Sequence, residues 1–435
     1  MKNVLSYDCP VILDASGKPV LDCRRDAALY HDGGPYRIVR FQERDALIAY
    51  ERGGEAGLRL LHELALPRIA DARTCYVAIQ RLRRDAAPGP DGIRLEELSD
   101  SACWSLARTC ARHLRDGTYE CGPDRIVRIP KPGKPGQTRP IRIRSAADRV
   151  VGKAFTLIAR PACELIFSPR SFGFRRGRNR EDALATALAI AATENRWHWV
   201  CVDIEKAFER IPRPRLRQRL KKLFPEDVIE MLFRLIGGTK GCGIPMGGSE
   251  SPLLANLYLD HFLDRPWWRD HPGWPLLRYA DDLLVLCRSA AEAEEVLRCL
   301  QNLCQSIGMP LKPTRTPCPD LLNGQVVEYV GFTVQICDGA PQITLPGRVY
   351  DRLAVELARC HQFPMAPVRA IQLVRGWFEQ QGPVWENEDR QGVVATVRQL
   401  ACEAGFDELP EDGALLCLWS AGYERWESHR NPALQ

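Results

Sequence analysis

Apolar residues in this chain fall into two rhythms, one of short runs and one of helical spacing. Ile126-Val127-Arg128-Ile129-Pro130 and Arg139-Pro140-Ile141-Arg142-Ile143 are short runs, joined by a segment rich in Pro, Gly and Lys at residues 131–137. That pattern predicts two strands closed as a hairpin. Trp197–Ile204 is largely apolar and ends near a carboxylate, which predicts a buried strand. Residues 278–286 are apolar on both sides of Asp281-Asp282, as in a hairpin whose turn lies at the acids. Val327–Ile336 is a further strand candidate, and Tyr36–Phe41 is a short β-like run. Helical spacing appears through Leu58–Leu66, through Leu95–Leu114, and from Arg348 onward at Leu353, Val355, Leu357, Val368, Ile371, Leu373 and Val374. Ala87-Pro88-Gly89-Pro90-Asp91-Gly92 marks a loop between helical stretches.

Composition adds little to that picture and charge adds more. The 435 residues are 45% hydrophobic and 26% charged, ordinary for a folded chain of about two to three domains. Net charge is only +5, but residues 124–180 hold fifteen Lys and Arg against three acids, and residues 378–435 hold four Arg against eleven acids. A basic middle and an acidic end predict one face for a polyanion and one that avoids it. Among 17 Cys there is no Cys-x-x-Cys pair, and the cluster Cys103, Cys110, His113 lacks a fourth member, so the spacing argues against zinc. No apolar leader follows Met1, and no stretch approaches the roughly 18 apolar residues of a membrane helix. Scattered thiols without a leader predict a cytoplasmic protein with reduced Cys and no membrane partner.

Asp203 closes a strand-like run, and Asp281-Asp282 lie together in an apolar hairpin. Acids in such settings need a cation. Carboxylates from neighbouring strands suit Mg²⁺, and two ions about 3.5–4 Å apart can activate a hydroxyl and stabilise a leaving pyrophosphate. An isolated Asp-Asp pair is more often a solvated turn.

The neighbouring residues change that balance. Val202-Asp203-Ile204-Glu205-Lys206-Ala207-Phe208, Gly243-Ile244-Pro245-Met246-Gly247-Gly248-Ser249-Glu250-Ser251-Pro252-Leu253-Leu254-Ala255-Asn256, and Tyr279-Ala280-Asp281-Asp282 occur in that order. They resemble motifs A, B and C of reverse transcriptases, the last in the form common to the group II intron branch. Pro88–Gly92, Ile129-Pro130-Lys131 with Arg139-Pro140-Ile141, Ser171–Arg178, and Tyr329-Val330-Gly331-Phe332 extend the resemblance over residues 88–332.

The resemblance implies an α+β right-hand polymerase: an N-terminal extension (1–76), fingers with first palm elements (77–200), a ferredoxin-like palm (201–340), and a helical thumb with an acidic C-terminal region (341–435). It implies that Asp203, Asp281, Asp282 and the carbonyl of Ile204 hold two Mg²⁺ ions, with Mn²⁺ as a substitute. Lys131, Arg139, Phe208, Met246 and Gly247 would contact the dNTP, Phe208 as a wall against the ribose 2′-hydroxyl. Arg175, Arg176, Arg178, Gly248, Tyr279, Arg348 and Arg352 would contact nucleic acid, with Arg359 and Arg369 on the same helices. The partners implied are an RNA template, a DNA or RNA primer, dNTPs, and a cognate non-coding RNA.

Four positions depart from the family pattern. Met246 replaces a Gln that helps seat the incoming base. Arg142 and Arg144 replace Gly and Pro, predicting more basic fingers. Arg315 stands where the family has a Lys that is a candidate to protonate pyrophosphate; Arg deprotonates too reluctantly for that, which leaves Lys312 or water to substitute, or Arg315 to act by charge alone. Nothing past Arg390 resembles a nuclease, which predicts a stand-alone enzyme used in antiphage defence or DNA repair, or else a minimal mobile-element protein. The rival classes are an RNA-dependent RNA polymerase, disfavoured by Phe208, and a silent RNA-binding splicing factor, disfavoured by the three acids.

Overall fold

The computed structural model describes residues 7–13, 37–41, 43–63, 65–130, 138–314 and 318–430. Its fold is α+β, as expected, with ten strands in four small antiparallel sheets among the described residues.

Strands β1 (Tyr7–Leu13) and β2 (Arg37–Phe41) form a two-stranded sheet near the N-terminus. Strands β3 (Arg125–Pro130) and β4 (Thr138–Ile143) form the hairpin read from the short apolar runs. The central sheet is β5 (His198–Asp203), β6 (Leu276–Tyr279) and β7 (Asp282–Cys287), in the order β5-β7-β6. Beside it lie β8 (Val327–Tyr329), β9 (Phe332–Cys337) and β10 (Ala340–Thr344), in the order β10-β9-β8.

The near-continuous apolar runs of the central sheet follow from burial on both faces. Val200, Val202, Leu283 and Val285 point into a core built with the helices Ala146–Glu164, Ser251–Leu259 and Ala290–Ser306. Trp199, Leu277, Leu284 and Leu286 point the other way, into a core with Tyr329, Phe332 and the C-terminal Leu353, Phe378 and Trp419. The helix Arg180–Glu194 supports this second core, and Asn179 and Asp182 cap it reciprocally, each side chain accepting the other's backbone N–H at 2.8 Å.

Two expectations are refined. Val327–Ile336 is not one strand but the β8–β9 hairpin, turned at Val330 (φ 45°) and Gly331 (φ 88°), since two consecutive left-handed residues reverse the chain tightly. The helical pattern at Leu95–Leu114 divides into a 3₁₀ turn, Leu95–Glu97, and a helix, Asp100–Arg115, restarted by Ser99 accepting the Ala102 N–H at 3.2 Å. Among the described residues no helix is long and apolar enough to cross a membrane.

Candidate active site

Period-two geometry brings the predicted acids together. In the β5–β7 ladder Asp203 lies directly opposite Asp282, and in the β6–β7 ladder Tyr279 does. Both acids point to the face that carries Trp199 and Leu284. Asp281 forms the turn with Ala280, whose φ of 57° is left-handed. The Ile204 N–H donates to the Asp281 carbonyl at 3.0 Å, which ties the end of β5 to that turn.

The turn is held from below by a buried polar network that sequence reading missed. Arg278, only 1% exposed, donates through Nη2 to Asp264 Oδ2 at 2.6 Å, through Nη1 to Asn256 Oδ1 at 2.9 Å, and to the Ala280 carbonyl at 3.2 Å. Asn256 Nδ2 donates to the Gly173 carbonyl at 2.9 Å. Position 173 admits no side chain, because a Cβ there would lie 2.2 Å from the Ala280 nitrogen. The available signal was Arg278 itself, a cation in a buried strand, which demands a buried carboxylate partner.

Burial raises the Asp281 carboxyl, and the negative charge of Asp203 raises it further. Asp282 is pushed well up by burial and by its hydrogen bond and repulsion with Asp203. Burial also works against Asp203, yet its bonds from Asp282 and Lys312 hold it below the ordinary range. Lys312 reaches this site: its ammonium pairs with the Asp203 carboxylate, and its backbone N–H donates to the Asp203 carbonyl at 2.8 Å. Among the described residues no three His, Cys, Asp or Glu side chains already converge as a metal cage. Asp203, Asp281 and Asp282 nonetheless bring carboxylate oxygens, the donors that hard divalent ions prefer, to one turn without converging on a single point.

The nucleotide-side candidates divide. Arg139 is exposed on β4, and its charge acts on Asp281. Lys131 and Arg315 lie outside the described residues. Phe208 is half-buried in the short helix Ala207–Arg210, and its ring meets Phe174 edge-on at 5.9 Å. The Met246 carbonyl accepts the Arg142 N–H at 3.1 Å, and Gly247 (φ 109°) packs so closely that a Cβ would lie 2.7 Å from the Arg142 carbonyl. This loop is therefore docked on the β3–β4 hairpin.

Several nucleic-acid candidates are corrected. Gly248 is buried, and the space its missing Cβ leaves is filled by Glu250, 2.5 Å from where that Cβ would stand. Arg175 is 9% exposed and points inward, donating to Glu164 at 2.8 Å and to the Ser168 and Ser171 carbonyls at 2.7 and 2.9 Å. Arg178 is half-buried, bonded to the Pro169 carbonyl at 2.5 Å and stacked over Phe172. Arg176 and Arg352 are exposed, whereas Arg348 pairs with Glu328 at 2.6 Å, Arg359 with Glu356 at 2.7 Å and Arg369 with Asp85 at 3.1 Å. Tyr279 is half-buried beside Asp282. The expectation of more basic fingers fails at Arg144, whose buried guanidinium is neutralised by Glu250 at 2.6 Å.

Arg180, also missed, links distant parts of the chain. Its guanidinium lies 4.3 Å over the Phe332 ring and donates to the Gln380 carbonyl at 2.5 Å and to Gln381 Oε1 at 2.9 Å.

Residues 129–334 match the family described as Reverse transcriptase (RNA-dependent DNA polymerase). The chain therefore carries a reverse transcriptase domain over those residues. It is 25% identical to Protein YkfC of Escherichia coli (strain K12) over 282 residues, covering 54% of this chain and 73% of that one. It is 29% identical to the group II intron-encoded protein LtrA of Lactococcus lactis subsp. cremoris over 233 residues, covering 51% of this chain but 37% of that one. The chain is thus similar to a group II intron-encoded protein, although it spans little more than a third of LtrA. A solved Cas6-RT-Cas1–Cas2 complex is similar over 55% of this chain and 42% of that one, at 22% identity and a TM-score of 0.34.

Proposed function

We propose that this chain extends a primer 3′-hydroxyl with deoxynucleotides along an RNA template. The observation that carries the reading is the cross-strand pairing of Asp203 with Asp282 beside Asp281, on a turn braced from below. Mg²⁺ ions held by these carboxylates, with the Ile204 carbonyl as a further ligand, would activate the primer hydroxyl and carry charge on departing pyrophosphate. Asp203, the acid held ionised, would be the principal ligand, and Asp281 and Asp282 would complete the set. Lys312, now paired with Asp203, would be free in a metal-loaded site to serve as proton donor to the leaving group. Arg139, with Lys131 on the same hairpin, binds the triphosphate. Phe208 closes the sugar site to a 2′-hydroxyl.

In this reading the central sheet is the palm, the β3–β4 hairpin belongs to the fingers, and the helices from Arg348 form the thumb. Arg176 and Arg352, exposed cations, contact the phosphates. The cellular use we propose is antiphage defence or DNA repair. Synthesis without a template would point to the first and strict template dependence to the second.

The test is primer extension by the purified chain with Mg²⁺ on an RNA template. dNTPs and rNTPs are supplied separately, a lane without template is included, and Asp281→Ala/Asp282→Ala is the control. DNA product lost in the double variant supports the reading. RNA bound without product in any lane would favour a silent RNA-binding protein.

A further inference from the structure

Phe174 is an aromatic residue out of place by every local rule. Its ring is 47% exposed, and its backbone is left-handed at φ 61°, a conformation that bulky residues rarely adopt. Such strain persists only where the surroundings enforce it. Here they do so from both sides. The preceding carbonyl, of Gly173, is held by Asn256 at 2.9 Å, and Gly173 packs against the backbone of Ala280 in the Asp281 turn. The following side chain, Arg175, is locked inward by Glu164 and the Ser168 and Ser171 carbonyls. The three-residue segment is therefore clamped at its ends and pushes the ring between them outward, beside the Asp281 turn.

What that ring touches is Phe208. The two meet edge to face, centroids 5.9 Å apart and planes at 76°, the geometry favoured by aromatic quadrupoles. Phe208 has a weak hold of its own. It belongs to a four-residue helix entered through a left-handed Lys206 (φ 48°), and it is only partly buried.

We propose that Phe174 is a positioning residue for sugar discrimination: it braces the Phe208 ring so that an incoming ribonucleoside triphosphate meets a fixed wall. This rests on the reading of Phe208 as that wall. Without the brace, Phe208 turns aside and a 2′-hydroxyl fits.

The test compares kcat/KM for dGTP and GTP in single-nucleotide extension, using the full chain with Mg²⁺, an RNA template and a DNA primer. Phe174→Ala is expected to narrow the dGTP preference by about tenfold or more, chiefly by admitting GTP, while Phe174→Tyr retains it. Phe174→Ala/Phe208→Ala is expected to discriminate no worse than Phe208→Ala alone, because the brace acts through the wall. A Phe174→Ala enzyme that loses both nucleotides equally would overturn the proposal and make the ring a stacking platform for nucleic acid. Additive loss in the double variant would overturn it too. If Phe208→Ala narrows the ratio and Phe174→Ala does not, the wall stands and the brace falls; if neither does, both fall. Phe174→Leu provides the same reading should the Ala variant not fold.

Discussion

Asp203 and Asp282 face each other across neighbouring antiparallel strands, and Lys312 neutralises the first of the pair. Removing Lys312 leaves the cluster with more uncompensated charge, so Lys312→Ala should be less stable without Mg²⁺ and should bind Mg²⁺ at lower concentration, while extension slows for want of the proton donor. Asp203→Asn should lower extension by about a thousandfold or more, the equivalent of some 4 kcal/mol of barrier, while RNA binding persists. Extension rates titrated with Mg²⁺, beside a filter-binding measurement, check both outcomes.

Arg278 supports the Asp281 turn through a pair with Asp264 that is almost fully buried. Arg278→Met leaves that carboxylate unpaired, and stability should fall by about 3–5 kcal/mol. Arg278→Lys retains charge without the fork that reaches Asp264, Asn256 and the Ala280 carbonyl together. It should lower kcat more than KM. Chemical denaturation and steady-state kinetics on the same preparations separate the two effects.

Arg144 and Glu250 join the Met246–Gly248 loop to the end of β4, with side chains 1% and 0% exposed. Either single replacement, Arg144→Met or Glu250→Leu, should cost about 3–5 kcal/mol. The double replacement should recover most of that loss, because no charge is left buried alone. A double-mutant cycle by urea unfolding gives the coupling.

Adjacent arginines should behave as opposites. Arg176 is exposed, so Arg176→Ala should weaken RNA binding and lower the slope of log K against log salt by about 0.7–0.9, with stability unchanged. Arg175→Ala should destabilise the fold and leave the salt slope alone.

His62 is buried against Phe224, its Nδ1 3.0 Å from the Leu223 carbonyl, and burial lowers its pKa to about 4. The unfolded chain takes up this proton near pH 6.5 and the folded chain does not. Stability from this group is therefore complete above pH 6.5 and falls by about 1.4 kcal/mol per unit as pH drops toward 4. His62→Gln should show a shallower slope over that window in thermal unfolding.

Much of the site was legible because its chemistry is local in sequence. Asp281 and Asp282 are neighbours, and the strand runs that carry them and Asp203 are apolar enough to declare burial. The β3–β4 hairpin was legible for the same reason. What could not be read was direction. Arg175, Arg176 and Arg178 look alike in a basic stretch, yet one is buried, one exposed and one half-buried, according to carbonyls and a carboxylate up to eleven residues away. Arg144 seemed an exposed charge because its partner Glu250 lies 106 residues on. The Asp264–Arg278–Asn256 network was hidden because its members belong to a helix, a π-helical segment and a strand that meet only in the fold.

The guanidinium of Arg180 spans a junction between the β8–β9 hairpin and the end of the helix Ala366–Glu379. Loss of that one planar group would release both elements at once, so the strands beside the carboxylates and the C-terminal helices share a single point of failure.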